Sequence, residues 1–152
     1  MDALSLLKKD HTKVKGLFKE VEGIGDRAAG ARKKLFEQID QELELHAQLE
    51  EQIFYPAFKK KAAKDSEKKD EVLEAYEEHA IVKHLLGELK MMEPRDETYK
   101  PKLQVLMELV KHHVKEEESE MFKMARELFK PNELEVLGQQ IEEAKQLAGA
   151  PA

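Results

Sequence analysis

The chain spells one short pattern twice, as His46-Ala-Gln-Leu-Glu50-Glu51 and as His113-Val-Lys-Glu-Glu117-Glu118, each followed by a bulky apolar pair, Ile53-Phe54 and Met121-Phe122. Both copies lie in segments of strong helical character, where residues four apart share one face with Cβ atoms roughly 5–6 Å from each other. Each copy therefore aims one imidazole and one carboxylate at a common point. A fold that buries this repeat must bring the two faces together and give their charges something to bind.

The apolar residues around the repeat keep the same helical step. A first helix is predicted over 3–22, with Leu4, Leu7, His11, Val14, Phe18 and Val21 on its inward seam. The glycines of 23–30 break the periodicity and read as a connection. A second helix over 31–64 carries Phe36, Ile39, Leu43, His46, Glu50, Ile53 and Ala57 inward. Pro56 removes one of its ladder hydrogen bonds, which predicts a kink or break one turn past Glu50. Asp65-Ser66 supplies N-cap chemistry for a third helix to Met92, with the seam Val72, Ala75, His79, Val82, Leu86 and Leu89.

The polar stretch 93–100 turns the chain, and Pro101 suits the first turn of a fourth helix. That helix points Leu106, Val110, His113, Glu117, Met121 and Met124 inward and ends near Lys130-Pro131. Asn132 and Glu135 resemble a capping box for a short fifth helix over 133–147, and the tail 148–152 is expected to fray. No segment shows strand alternation. The expected fold is all-α, a single domain over 1–147 built as an up-down-up-down four-helix bundle with a short C-terminal fifth helix. Counted from the connections at ~1.5 Å per residue, His79, the His46/Glu50 pair and the His113/Glu117 pair fall at compatible depth. His11 is more than a turn out of level by the same count, so helix tilt or a longer loop must absorb the difference.

Composition excludes several classes of function. Charged residues make up 38% of the 152, and the formal charge of −6 comes from acidic and basic residues interspersed along every segment. That leaves no basic stripe for nucleic acid, and no apolar run approaches the ~20 residues of a bilayer span. Met1-Asp2 is not the start of a basic and then apolar leader, so the expectation is a soluble, cytoplasmic protein, monomeric or weakly dimeric. With no cysteine in the chain, any metal must be held by nitrogen and oxygen.

A single histidine on an apolar seam is most simply a hydrogen-bonded core residue. An ionised glutamate there is costlier, because its burial is unfavourable unless it is paired. Here His11, His46, Glu50, His79, His113 and Glu117 all occupy seam positions, on four helices. Bound cations offset all six together, which makes them the candidate metal ligands.

His84 lies about 200° round the helix from Val82 and reads as a surface residue. His112 flanks the seam, at an interhelix boundary. Glu51, Glu116 and Glu118 suit outer acceptors for imidazole N–H groups, with solvated charge as the simpler role. Tyr55 adjoins Pro56, where a change of helix phase would swing its phenol towards the site. Packing is its plainest role, and a metal ligand or radical shield its alternatives. Met91, Met92, Met121 and Met124 read as core fill.

The order H, H-x-x-x-E, H, H-x-x-x-E on four helices resembles the hemerythrin-like, HHE cation-binding domain. The motifs run from Leu7-Lys-Lys-Asp-His11 through Phe54-Tyr-Pro56 and Glu77-Glu-His79 to His112-His-Val-Lys-Glu-Glu-Glu118. The resemblance implies two iron ions with an oxo or hydroxo bridge in the bundle core. It further implies His11, His46 and His79 as terminal ligands on one side, His113 on the other, and Glu50 and Glu117 as bridging or shared carboxylates. Oxygen-carrying members have H-x-x-x-H on the third helix, where this chain has Lys83, and close with H-x-x-x-x-D, where it has Glu117 four residues after His113. Those departures favour reaction with peroxide, oxygen or nitric oxide over reversible oxygen carriage. The readings carried forward are a peroxide-decomposing, catalase-like di-iron protein, a non-catalytic sensor of oxygen or nitric oxide or an iron store, and a structural bundle with zinc or no metal. The ferritin-like alternative requires E-x-x-H on two helices, and that motif does not occur in this chain.

Overall fold

The predicted seams all fold as helices in the computed structural model, which describes residues 1–25 and 28–149. Helix α1 spans Ala3–Glu22 and starts on Asp2, whose carboxylate accepts a hydrogen bond from the Ser5 backbone N–H at 2.8 Å. Helix α2 spans Ala29–Leu49 and runs without a break into a π-helical turn, Glu50–Phe54, and then into α3, Tyr55–Lys61. Helix α4 spans Ser66–Lys90, capped by Asp65 through the Lys68 N–H at 3.2 Å. Helix α5, Tyr99–Glu116, continues through a second π-helical turn, Glu117–Met121, into α6, Phe122–Leu128. Helix α7 spans Pro131–Leu147. The second and fourth rods of the bundle are thus composite, and no strand occurs among the described residues. Nor is any described helix long and apolar enough to cross a membrane.

The two π turns shift the helix phase by one residue, and here the structure departs from the predicted seams. Beyond Glu50 the buried side chains are Phe54, Tyr55 and Phe58, while Ile53 and Ala57 are half-buried. Beyond Glu117, Phe122 and Ala125 are buried and Met124 is only partly so. A π turn inserts one residue into the α repeat, so the seam moves on by one beyond each turn, while Met121, within the second turn, is buried as predicted. The break expected near Pro56 is present as the first π turn, but such a turn does not require proline, because the second one forms in a stretch that contains none.

The fifth helix also starts earlier than predicted. Pro131 takes the first helical position, where its missing N–H costs nothing, and the Glu133 carboxylate accepts from the Lys130 backbone N–H at 2.8 Å. Asn132 and Glu135 therefore lie inside the helix and do not cap it. The expected fraying of 150–152 lies outside the described residues.

Helix α7 packs along α1. A Cβ added at Gly138 would overlap the carbonyl oxygen of Met1 and lie 3.0 Å from the Asp2 carbonyl carbon, so the close approach of α7 to the start of the chain requires glycine there. Gly138→Ala is expected to lower stability by about 1–3 kcal/mol. Gly87→Ala, in α4 with nothing within 4 Å of the new Cβ, should be neutral or stabilising. Thermal unfolding of the two variants checks this, and equal midpoints would contradict the packing.

The hydrophobic core is in two blocks. One joins Leu4 and Leu7 to Phe54, Phe58, Phe122, Leu134 and Ile141; the other joins Val14 and Phe18 to Ile39, Leu86, Leu106 and Val110. His11, His46, Glu50, His79, His113 and Glu117 are buried as well. They form a polar layer on the same helices.

Candidate metal centre

The layer resolves into two groups of four. His11, His46, Glu50 and Glu117 bring one ligand atom each within 4.8 Å of one another, and Glu50, His79, His113 and Glu117 do the same. Both glutamates belong to both groups. Glu50 Oε1 lies 3.1 Å from His46 Nε2 and 3.2 Å from His79 Nε2. Glu117 Oε1 lies 3.1 Å from His11 Nε2, and its Oε2 lies 3.3 Å from His113 Nε2. The histidines are therefore grouped two and two, where the resemblance implies three on one side and one on the other. His11 also reaches the layer despite its offset in the residue count, with its Nε2 3.1 Å from His46 Nε2.

The π turns supply this geometry. In each, the backbone N–H five residues on, Tyr55 or Phe122, bonds to the carbonyl of the glutamate that opens the turn, Glu50 or Glu117. The loosened turn sits at the sharing carboxylate in both copies. Such π turns inside α-helices recur at functional sites.

Every histidine of the layer is braced from behind by a carboxylate. His46 Nδ1 lies 3.0 Å from Asp10, His79 Nδ1 3.2 Å from Glu51, His113 Nδ1 2.7 Å from Glu78 and His11 Nδ1 2.7 Å from Glu118. The braces form a closed ring round the bundle, because each rod's carboxylate receives the next rod's imidazole. With Nδ1–H donated outward, each neutral ring turns the lone pair of Nε2 inward. Two such lone pairs face each other at 3.1 Å between His11 and His46, and two more at 3.2 Å between His79 and His113. Only a proton or a metal cation between them relieves that contact. Imidazole fixed by an outer carboxylate is the arrangement that metal ligands adopt.

Two of these braces correct the plainer reading of the sequence. Glu51 and Glu118 are hydrogen-bond acceptors for ring histidines rather than merely solvated charge, and Asp10 and Glu78 were missed altogether. The signal was adjacency: Asp10, Glu51, Glu78 and Glu118 each directly precede or follow a residue of the inner layer. Glu116 pairs with His112, which is exposed at the boundary of α5 with α4, where it, Glu116 and Glu78 come within 4.8 Å of one another. His84 is exposed and pairs with Glu88.

The layer is charged, and its donors fit a cation. Glu50 Oε2 and Glu117 Oε1 are buried without a hydrogen-bond partner, a costly condition for carboxylate oxygens. Burial opposes charge on Glu117, yet the polar groups that face it, Glu50, His11 and His113, hold its carboxyl well below the usual range. Burial likewise opposes protonation of His113, but Glu117 and Glu78 overcome it and lift this imidazole to about 10. His46 is raised well above the ordinary value, against burial, by Glu50 and Asp10. Protons thus do for the metal-free layer what cations do for the loaded one.

Tyr55 follows the first π turn, and the phase shift buries its phenol in the layer. The hydroxyl donates to Glu117 Oε2 at 2.6 Å and lies 3.2 Å from Glu50 Oε1, 3.2 Å from His79 Nε2 and 3.4 Å from His113 Nε2. Burial, with the charges of Glu117 and Glu50, pushes its pKa well up and keeps the proton on. The matching position after the second π turn is Phe122, whose ring stacks on His11 at 6.0 Å between centroids. The internal repeat thus ends in a phenol on the His79/His113 side and a plain phenyl on the His11/His46 side. Opposite Tyr55, a small cavity runs from the four histidines between Val14, Leu43, Val82, Leu86, Val110 and Val114.

Residues 2–125 match the family described as Hemerythrin HHE cation binding domain. A DNA nickase of Nostoc sp. is 29% identical over 126 residues, which cover 83% of this chain and 34% of the nickase. An uncharacterized hemerythrin-like protein of Schizosaccharomyces pombe is 30% identical over 113 residues, 72% of this chain and 52% of that protein. The chain thus spans about a third and about half of these two relatives' lengths. The crystal structure of a hemerythrin HHE cation-binding domain-containing protein from Mycobacterium kansasii matches with a TM-score of 0.82 at 26% identity, over 98% of this chain and 88% of that one. Helix α7 begins after the end of the family match but falls within the structural one.

Proposed function

This chain belongs to the hemerythrin HHE cation-binding domain family, and from that premise we propose that its core holds two iron ions, joined by an oxo or hydroxo bridge, and reacts with small oxidants. Hydrogen peroxide, oxygen and nitric oxide are the substrates or ligands of that size and chemistry, and decomposition of peroxide is the reaction proposed. The supporting observation is the pairing of four braced imidazoles across two shared glutamates. His11 and His46 would hold one ion and His79 and His113 the other, with Glu50 and Glu117 common to both. Tyr55, on the His79/His113 side, would stand beside the ions as a protonated phenol rather than ligate one. When bound, the iron pair supplies the redox chemistry.

The protein's own part is positioning and exclusion. The outer carboxylates fix each imidazole ring. The phenol of Tyr55 keeps a proton beside Glu117 and His113 and orients the carboxylate it donates to. The cavity is lined mainly by apolar side chains, with Glu44 and Lys83 also on its wall, and a mainly apolar lining favours small neutral molecules over charged solutes.

Oxygen evolution from hydrogen peroxide by the iron-loaded chain tests the reaction. Tyr55→Phe is expected to retain both irons while turnover falls on the order of 10²-fold, the loss typical of a removed proton-transfer group. Unchanged turnover would remove Tyr55 from the reaction. A fully loaded wild type that evolves no oxygen would sink the enzymatic reading.

A further inference from the structure

Two of the four bracing carboxylates have a lysine behind them. Glu51 is held by Lys83 of α4, at 2.8 and 3.0 Å. Asp10 is held by Lys145 of α7, at 2.5 Å. Lys83 lies inside the segment that matches the family and Lys145 lies beyond it. The oxygens of Asp10 have separate partners: Oδ1 takes Lys145 Nζ and Oδ2 takes His46 Nδ1 at 3.0 Å. A carboxylate gripped at both oxygens cannot turn about its own axis, and the imidazole bonded to it is fixed in the same way.

We propose that Lys145 is a positioning residue of the metal centre, acting from outside the four-helix bundle: it fixes Asp10, Asp10 fixes His46, and the hold on the cation of the His11/His46 half-site depends on that relay. The inference rests on the two-cation reading above and adds a function for the fifth helix. Without Lys145, Asp10 is free to rotate towards water and His46 loses its brace. Loss of such an outer contact typically weakens metal binding by 10–100-fold. The other half-site keeps its braces, Glu51 and Glu78, so the two cations should leave in separate stages.

The sign of the effect separates positioning from plain electrostatics. Deleting a lysine next to a cation site removes a repulsive charge, which by itself would tighten cation binding. Looser binding therefore reports the relay.

The test uses the full chain loaded anaerobically with ferrous iron, then exposed to excess chelator while iron per chain is counted over time. Wild type should lose its irons in one slow phase. Lys145→Met should lose one of the two about 10–100-fold faster, Lys145→Arg should largely restore the slow phase, and Asp10→Asn should reproduce the staged loss with Lys145 in place. Lys61→Met cuts a different tie of α7, the 2.6 Å pair with Glu133, and should behave as wild type. Wild-type release from Lys145→Met, or the same staged loss from Lys61→Met, would overturn the proposal. A wild-type chain that takes up no iron would overturn the two-cation reading and this inference with it.

Discussion

Glu117→Ala is expected to empty both half-sites at once. Its two oxygens reach His11 on one side, and His113 and Tyr55 on the other, at 3.1, 3.3 and 2.6 Å. Among the described residues, Glu50 and Glu117 are the carboxylates that belong to both histidine groups. Removing Glu117 leaves three buried polar groups facing a hole, and breaking a buried ion pair from one side costs about 3–5 kcal/mol. For a chain of this size that is a fall of roughly 10 °C or more in the thermal midpoint. His84→Ala is the control, since that side chain is exposed and pairs with Glu88 across one helical turn. Metal content and thermal unfolding should show loss of both in the first variant and of neither in the second. Full metal content in Glu117→Ala would remove the shared-carboxylate arrangement.

Metal uptake should release about two protons per chain and strengthen steeply as the pH rises through neutrality. His113 is raised to about 10 and His46 is raised well above the ordinary value, so both are imidazolium at pH 7 in the metal-free chain. A metal binds only the neutral ring. Each proton displaced therefore makes apparent affinity climb up to about tenfold per pH unit below the folded pKa. The metal-free fold should respond in the opposite sense. A histidine whose pKa is raised by folding contributes stability that is complete below its unfolded value, near 6.5, and is lost as the pH rises through the folded one. The metal-free chain should thus weaken between neutrality and about 10 for His113, while the loaded chain gains on it. Calorimetry of metal binding in buffers of different ionisation heat counts the protons. A count near zero would contradict the protonated layer.

Much of this centre was legible in the sequence because a helix turns spacing into direction. His11, His79 and the two H-x-x-x-E pairs all lie on seams, and all six converge in the structure. The outer ring was less legible. Asp10, Glu51, Glu78 and Glu118 point away from their neighbours' targets and accept from histidines on other helices, a relation that only helix packing specifies. The two-and-two division of the histidines was hidden for the same reason. Helical periodicity also assumes an unbroken 3.6-residue repeat. The π turns at Glu50 and Glu117 break it, which is why Ile53, Ala57 and Met124 were read as core while Phe54, Phe58 and Ala125 fill it.

The central claim is that one chain holds two cations, side by side, between shared glutamates. Metal analysis of the purified chain, combined with X-ray absorption at the metal edge, tests it most directly. About two irons per chain with a metal–metal distance of roughly 3–4 Å is the predicted result. A single cation per chain, or a folded and stable chain that takes up none, would contradict it.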